Sequence, residues 1–511
     1  MKYILSAEEM RSADSRTSEV MHVSNAVLME RAALLTAERV SKRIGKKRNK
    51  VLIVCGPGNN GGDGFACGRI LLEKGIETEF LYIGDEGKMS PLEHEQFLSV
   101  KALKEEAVFM GSLPVMDHHI IVDAIFGISL SRNVEGDYAD IIGKINEAHK
   151  TGAFVISIDI PSGIEADSGQ VMGIAVEADE TLVCGFYKYG NLLHPGTRYS
   201  GKLILGDIGI TEKSLEGTPK FSLLEEKDIC LPERTADSNK GSYGKVLLFA
   251  GSSDIAGAAC LAGKAALKSG CGMVRVLTHE KNRGVLQSFC PELLVSTYRD
   301  KGEEKSSAEQ LSLFDSINVP GESMAKALSW CSVIAAGPGI GTDSQAEERL
   351  KYILKNAENR PVVLDADALN IIAGNMDLLT DCSSEIVITP HLMEMSRLTG
   401  IPVTEIKSHL TSVASDFATG YHVITVLKDS RTVTALPDGR VIINTNGNNG
   451  MAKAGSGDVL TGIIAALIAQ GLPPEKAAYL GVSIHGAAGD RAYEKTGAHG
   501  MMATDIIENI R

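Results

Sequence analysis

The stretch Val51-Leu52-Ile53-Val54, followed one residue later by Gly56-Pro57-Gly58-Asn59-Asn60-Gly61-Gly62-Asp63, decides how the chain is read. An apolar run this short that breaks straight into glycine predicts a buried strand ending in a ligand loop. Glycines let a backbone approach an anion closely, and a helix that follows adds bare N–H groups and a positive dipole end. A second loop of this kind, Ala454-Gly455-Ser456-Gly457-Asp458, precedes the apolar, helix-like run Val459–Ala469. An aspartate beside such a loop is costly near phosphate, so each is expected to serve as base, metal ligand or ribose contact. Two such loops predict two phosphate-handling sites.

Alternation surrounds both loops. After a helix over residues 7–41 and the basic run Ser41–Lys50, the strand candidates are Val51–Val54, Glu79–Ile83, Ile120–Asp123, Val155–Asp159 and Glu180–Val183. Short apolar strands between helical stretches argue a parallel, doubly wound sheet. The polar segment Thr211–Ser222 is the expected linker, and Leu231–Gly244 reads as loop. A second series runs through Lys245–Ala250, Met273–Leu277, Val333–Ala336, Val362–Asp365, Ile386–Thr389 and Val423–Leu427. The expectation is α/β throughout: an N-terminal Rossmann-like domain, residues 1–215, and a C-terminal α/β domain, residues 225–511.

Size and composition agree with this. At 511 residues more than one domain is expected, and 44% hydrophobic with 23% charged residues is an ordinary globular balance. A net charge of −14 argues against nucleic acid as a partner. The nine cysteines lack CxxC or Cys/His spacing, so no disulfide framework or zinc site is expected, and buried packing is favoured for Cys55 and Cys67. No signal-peptide h-region and no bilayer-length run appears, so the cytoplasm is the expected compartment and no membrane partner is expected. A homo-oligomer is expected.

In the N-terminal half, Asp123 ends one strand (IIVDAIFG), Asp159 another (ISIDIPSG), and Ser162 follows. In a parallel sheet these loops meet on one rim. Asn60, Asp123 and Ser162 then supply hard oxygens with a single negative charge, which suits a weakly held monovalent cation better than a divalent one. The alternative is that Asp123 and Asp159 only cap turns. With the cation organising loops, Asp159 is the better acid/base candidate. The two asparagines of GPGNNGGDG add side-chain oxygens that the dinucleotide fingerprint lacks, which disfavours a dinucleotide-dependent dehydrogenase.

In the C-terminal half, GSGD opens a helix, and Asp458 is placed to take a proton from a hydroxyl undergoing phosphorylation. Lys428 ends a strand and is within reach of a nucleotide phosphate. Asn446-Gly447-Asn448-Asn449-Gly450 is a permissive loop, and Gly337-Pro338-Gly339-Ile340-Gly341 and Thr389-Pro390-His391 end two further strands.

Together these motifs resemble a known family. GPGNNGGDG, VDAIFG and DIPSG are similar to the NAD(P)H-hydrate epimerase domain. GPGIG, TPH, LKDSRT and AGSGDVLTG are similar to the ADP-dependent NAD(P)H-hydrate dehydratase domain, which is ribokinase-like. The order is that of the bifunctional bacterial repair enzymes, and the resemblance covers nearly the whole chain. It implies epimerisation of the R and S hydrates of NADH and NADPH, and dehydration of the S form with ADP and magnesium, giving AMP and phosphate. It implies that Asn59, Asn60, Gly61, Gly62, Asp63, Gly127, Ile128, Ser129, Leu130, Ser131, Arg132, Asn133 and Asp159 contact the hydrate in the first domain. Potassium would sit on Asn60, Asp123 and Ser162. In the second domain Ala258, Gly339, His391 and Asp458 would contact the hydrate. Lys428, Asp429, Ser430, Arg431, Thr432, Asn448 and the loop residues Gly455, Ser456 and Gly457 would meet the nucleotide. Three positions depart from the family pattern. Ser129 stands where glycine is common, Asp429 makes LKD of the usual LKG, and Asn449 replaces a proline. The rival readings are a ribokinase-type small-molecule kinase with a fused binding domain, and an N-terminal domain that binds without catalysis.

Overall fold

The computed structural model describes residues 1–45, 50–112, 117–229, 231–300 and 320–511. Residues 46–49 of the basic run lie outside it. The chain divides into two compact units, Lys2–Phe221 and Ser222–Arg511, the latter taking in Met1. No helix among the described residues is long and apolar enough to cross a membrane.

The seven-stranded sheet of the first unit is made of β1 (Lys50–Cys55), β2 (Glu77–Tyr82), β3 (Val108–Met110), β4 (Ile120–Ala124), β5 (Phe154–Ile158), β6 (Glu180–Cys184) and β7 (Lys202–Gly206). They lie in the order β3-β2-β1-β4-β5-β6-β7, every neighbouring pair parallel. The order reverses between β1 and β4, which opens a crevice at their carboxyl ends. The expected first helix is two, α1 (Ala7–Glu19) and α2 (Asn25–Arg43). The break falls where His22 takes φ +59, a backbone that cannot continue a right-handed helix.

Helix α3 (Asn59–Glu73) starts inside the glycine loop, so Asn59–Asp63 form a first helical turn. Gly64 and Gly68 face the sheet. A Cβ at Gly64 would lie 2.7 Å from Ala124 Cβ, and one at Gly68 2.0 Å from Phe80 Cε1. Cys55 and Cys67 pack in the resulting core beside Phe65, Phe80, Tyr82 and Phe97. Both thiols are free and buried.

The second unit has β8 (Lys245–Phe249), β9 (Met273–His279), β10 (Leu294–Tyr298), β11 (Val333–Ala336), β12 (Val362–Leu364), β13 (Ile386–Ile388), β14 (Ile424–Leu427), β15 (Val433–Ala435) and β16 (Val441–Ile443). The order is β10-β9-β8-β11-β12-β13-β14-β15-β16, parallel up to β14, with β15 and β16 antiparallel. Helix α6 (Gly257–Lys268) crosses α9 (Ser456–Ala469) closely, because a Cβ at Gly462 would meet Ala262 O at 2.2 Å. Buried apolar residues of α9 and of the long α10 (Pro474–Gly500) fill this core. Three shorter helices matter for the sites: α4 (Pro91–Lys104) and α5 (Asp137–Lys150) in the first unit and, after β13, α8 (Leu392–Thr399). A fourth, α7 (Asp367–Ala373), follows β12.

Candidate active sites

In the first unit the loops after β1, β4 and β5 lie side by side. Gly61 is required where it stands: a Cβ there would lie 1.9 Å from Gly56 O. Glu93 of α4 holds the loop from behind, its Oε2 accepting from Gly58 N at 2.8 Å and Ser90 N at 3.1 Å. Asn60 packs against the turn after β4, its Cβ 3.5 Å from where a Cβ at Gly127 would be. Ile128 and Leu130 of that turn dip toward the core, whereas Ser129, Ser131, Arg132 and Asn133 are exposed. Ser129 keeps φ out of the left-handed region, so the turn does not demand a glycine there.

Asp123 is buried and takes four donors. Oδ1 accepts from Ser162 Oγ (2.5 Å) and Ile125 N (3.3 Å), and Oδ2 from Ser157 Oγ (2.8 Å) and Ser162 N (2.9 Å). Ser162 Oγ in turn accepts from Phe126 N at 2.8 Å. The carboxylate thus caps its own turn and ties it to the loop after β5. Burial pushes its carboxyl above the ordinary range against those hydrogen bonds.

Asp159 stands at φ +68 beyond β5. Its Oδ1 accepts from Lys188 Nζ and from Cys184 N. Asp63 of α3 and Asp14 of α1 complete a carboxylate group. Burial, then Asp159 and Asp14, push the Asp63 carboxyl well above its usual range. Burial and Asp159 likewise raise Asp14, with Lys188 acting against them.

The second unit gathers its motifs at the carboxyl ends of β11 to β14. Gly339, at φ +65, faces Ala258 of α6; a Cβ on it would lie 3.2 Å from Ala258 Cβ and 2.7 Å from Ile255 Cγ2. The TPH and LKD segments pair, with Lys428 N donating to Pro390 O at 2.8 Å. His391 caps α8: Nδ1 accepts from Met393 N and Glu394 N, and Nε2 lies 3.2 Å from Glu394 Oε1. Burial, then Lys428, hold the imidazole below its usual range, so it is neutral near pH 7.

Lys428 turns inward. Its Nζ lies 2.6 Å from Asp365 Oδ1 and 4.0 Å from Glu394 Oε2. Asp365 Oδ2 also accepts from Thr461 Oγ1 of α9 at 2.7 Å. Burial opposes the charge on Asp365, yet Lys428 and the Thr461 and Thr389 hydroxyls hold its carboxyl below the ordinary range. The GSGD turn rests on this pair, since a Cβ at Gly457 would lie 3.3 Å from Lys428 Nζ and 3.7 Å from Asp365 Oδ2. Asp458, in the first turn of α9, is pushed up to about 6 by burial and by Asp365, with Lys428 pulling the other way. A carboxylate poised there is matched to general-base work near neutral pH.

The nucleotide-loop candidates lie beside the same cluster. Ser456 Oγ is 3.3 Å from His485 Nε2. Gly455 packs on α6, its Cβ position 2.4 Å from Leu261 Cδ1. Arg431 donates to Thr445 O, and Thr432 Oγ1 to Asp429 O at 3.2 Å. Ser430 is exposed. The Asn446–Gly450 loop is ordered by Asp490 of α10, which accepts from Gly447 N (3.0 Å) and Asn448 Nδ2 (2.9 Å).

Sequence reasoning did not single out Asp365, Thr461, Glu394, Asp490, Lys188, Asp14 or Glu93. Asp365 carried the same signal as Asp123 and Asp159, an aspartate at a strand end. Glu93 and Glu394 carried a local one, each closing a capping box three residues after Ser90 and His391, whereas Asp14, Lys188, Thr461 and Asp490 carried none, because the partners that matter lie far off in the chain.

A doubly wound parallel sheet with a glycine-loop crevice, and a second unit that sets a carboxylate at a helix N-terminus beside an inward-turned lysine, define a two-unit α/β protein. The family profile described as NAD(P)H-hydrate dehydratase matches residues 246–511, and that described as YjeF-related protein N-terminus matches residues 25–190. A bifunctional NAD(P)H-hydrate repair enzyme of Moorella thermoacetica is 36% identical over 522 residues, covering 99% of this chain and 95% of that one. Among solved structures, a ribokinase-like superfamily protein of Enterococcus faecalis V583 is 27% identical, over 58% of this chain and 95% of its own, with a TM-score of 0.49. The ADP/ATP-dependent NAD(P)H-hydrate dehydratase of Bacillus subtilis is 29% identical, over 56% of this chain and 95% of its own, with a TM-score of 0.47. The chain belongs to the bifunctional NAD(P)H-hydrate repair enzyme family, with an epimerase unit followed by a dehydratase unit.

Proposed function

We propose that the first unit interconverts the R and S hydrates of NADH and NADPH at the β1/β4 crevice, and that the second dehydrates the S form with ADP and magnesium at the GSGD turn. The observation that carries this is Asp458: a carboxylate held near pH 6 at a helix N-terminus, beside Lys428. As base it takes the proton of the hydrate hydroxyl while that oxygen receives the phosphoryl group. Phosphorylation turns hydroxide into phosphate as the leaving group, and the ring nitrogen expels it. The bare N–H groups at the start of α9 face the charge that develops. Lys428 would meet the nucleotide phosphates by exchanging Asp365 for them. The enzyme is placed in the cytoplasm, working as a homo-oligomer.

The test is direct. Protein incubated with NADH hydrate, ADP and magnesium is expected to restore NADH absorbance and release AMP and free phosphate, with ATP serving less well. A stable phosphorylated product would instead indicate an ordinary kinase, and restoration without any nucleotide would sink the dehydratase reading.

Potassium fits the loops of the first unit. A buried carboxylate raised by burial gains from a neighbouring cation, and Asn60 Nδ2 is buried with no hydrogen-bond partner among the described residues. Turning that amide over puts an oxygen in its place. Asn60, Asp123 and Ser162 would hold the ion, which would fix the loops and neutralise Asp123. Epimerisation by the wild type is expected to rise and saturate with potassium concentration. Asp123→Ala should need more of the ion and run slower. A wild-type rate indifferent to potassium would leave Asp123 with its loop-tying role alone.

A further inference from the structure

We infer that Lys188 is a positioning residue for epimerisation: its ammonium clamps one oxygen of Asp159 and leaves the other, Oδ2, as the single atom through which that carboxylate exchanges a proton with the hydrate. The inference rests on Asp159 being the acid/base group.

Lys188 is fully buried. Its Nζ donates to Asp159 Oδ1 and to Cys184 O (3.0 Å), while Cys184 N donates to the same Oδ1 at 2.9 Å. Two donors therefore converge on Oδ1. Among the described residues Oδ2 enters no hydrogen bond, and the Asp159 side chain keeps 14% exposure, so one oxygen faces the crevice. The backbone is held as firmly. Asp159 sits in the left-handed region, which a non-glycine residue keeps only when its surroundings enforce it. Its N–H donates to Leu182 O at 2.7 Å, and its carbonyl accepts from Asn191 Nδ2 at 3.2 Å. The Asn191 Oδ1 accepts from Lys188 N at 3.0 Å, so one side chain ties the backbones of both partners.

Charge explains why a lysine stands here. The groups facing the pair are Asp14 from α1, Asp63 from α3 and the Cys184 thiol at the end of β6, all pushed toward their neutral forms, with burial the first cause. Lys188 is the cation set against these carboxylates. The proton that Oδ2 takes is returned within the turnover, so substrate and product have the same composition and no co-reactant is needed.

The experiment uses the full chain, without ADP, and follows R/S interconversion against pH. Lys188→Gln retains a donor for Oδ1 but removes the charge; Lys188→Met removes both. For Lys188→Gln the acid limb of kcat is expected to move up by about 1 pH unit or more, with the hydrate KM little changed, because an adjacent opposite charge favours ionisation by that order. Lys188→Met should show the same displacement and a maximal rate lower by about tenfold or more, as the carboxylate loses its orientation. ADP-dependent dehydration of S-hydrate by the same preparation checks that each variant is folded. An acid limb at the wild-type position in Lys188→Gln, or a loss confined to KM, would overturn the inference. Asp159→Asn separates the two ideas. If it stays active, the acid/base reading fails; if it is dead while Lys188→Gln is unshifted, only the clamp fails. Should neither lysine variant fold, Asn191→Ala loosens the clamp without unpairing a charge, and it must lower kcat and spare KM for the inference to stand.

Discussion

Asp458→Asn is expected to lower ADP-dependent dehydration by at least about two orders of magnitude, the scale on which a general base contributes. The substitution keeps size and hydrogen-bonding capacity and removes only the proton acceptor. Epimerisation should be retained, because Asn60, Asp123 and Asp159 belong to the other unit. The wild-type pH profile carries the same information. The Asp458 carboxyl titrates near 6, so dehydration should fall to half near pH 6 on acidification. Stability should move the other way. A carboxyl whose native value lies above its unfolded value favours the folded state while protonated, and that contribution is lost as pH rises from about 4 through 6. Above pH 6 the ionised Asp458 therefore weighs on the fold by at most about 3 kcal/mol. Asp458→Asn should accordingly melt higher than wild type at pH 7 to 8 while being inactive. A variant that loses activity and stability together would instead mark Asp458 as structural.

The two units arrive at one solution to the same electrostatic problem. Each places a carboxylate at a strand-end crevice among other buried carboxylates, and each sets one inward-turned lysine against them. Lys428 faces Asp365, Glu394 and Asp458, and Lys188 faces Asp159 and Asp14. Isolated charges in such places would be costly, whereas paired ones hold their geometry and leave one partner free to exchange protons or phosphates. The outcome differs in detail. Asp365 is bound by Lys428 and two hydroxyls and stays ionised, which is why it raises Asp458 beside it.

Much of this architecture was legible because buried parallel strands leave a simple trace. Runs such as Val51–Val54 and Val333–Ala336 are apolar on both faces and stop at glycine or aspartate where a ligand loop begins. The hairpin β15–β16 was not, since its three-residue strands lie among Arg431, Asp438 and Arg440. Edge strands β7 and β10 were missed for a related reason: they are covered only in part, and their apolar runs are only three and two residues long. In the sites, the strand-end aspartates stood out locally. Asp365 had that signal but no glycine after it; Ala366 makes the turn at φ +52 instead. Lys188, set between Tyr187 and Tyr189, gave no hint of a partner 29 positions away, and Asp490 lies mid-helix with its partners more than 40 positions off. Pairings of that kind belong to the fold and leave no local pattern.

Gly337→Ala tests whether the second site depends on close backbone approach as strongly as its glycines imply. Gly337 ends β11 at φ +128, a conformation an alanine adopts only under strain. A Cβ there would lie 1.7 Å from Asp365 O and 2.8 Å from Asp365 C, far inside contact distance, with Ala368 Cβ at 2.9 Å. The clash is with backbone, so no side-chain rotation relieves it. What must yield is the Asp365–Ala366 turn, and with it the carboxylate that holds Lys428 and Thr461 in place. The combined cost of strain and overpacking is on the order of 3 kcal/mol or more. The dehydratase transition is expected to drop by several degrees, and ADP-dependent dehydration by about tenfold or more even well below that transition, because Asp365 displaced by a fraction of an ångström moves Lys428 away from the GSGD turn. Gly341→Ala is the control. It also has positive φ, +80, but its nearest non-neighbour atom is Asp343 Oδ2 at 3.6 Å, so strain acts there without a clash. Calorimetry and initial rates on both variants decide the matter: equal losses would assign the effect to φ alone and remove the close approach of β11 to the Asp365 turn as a requirement of the site.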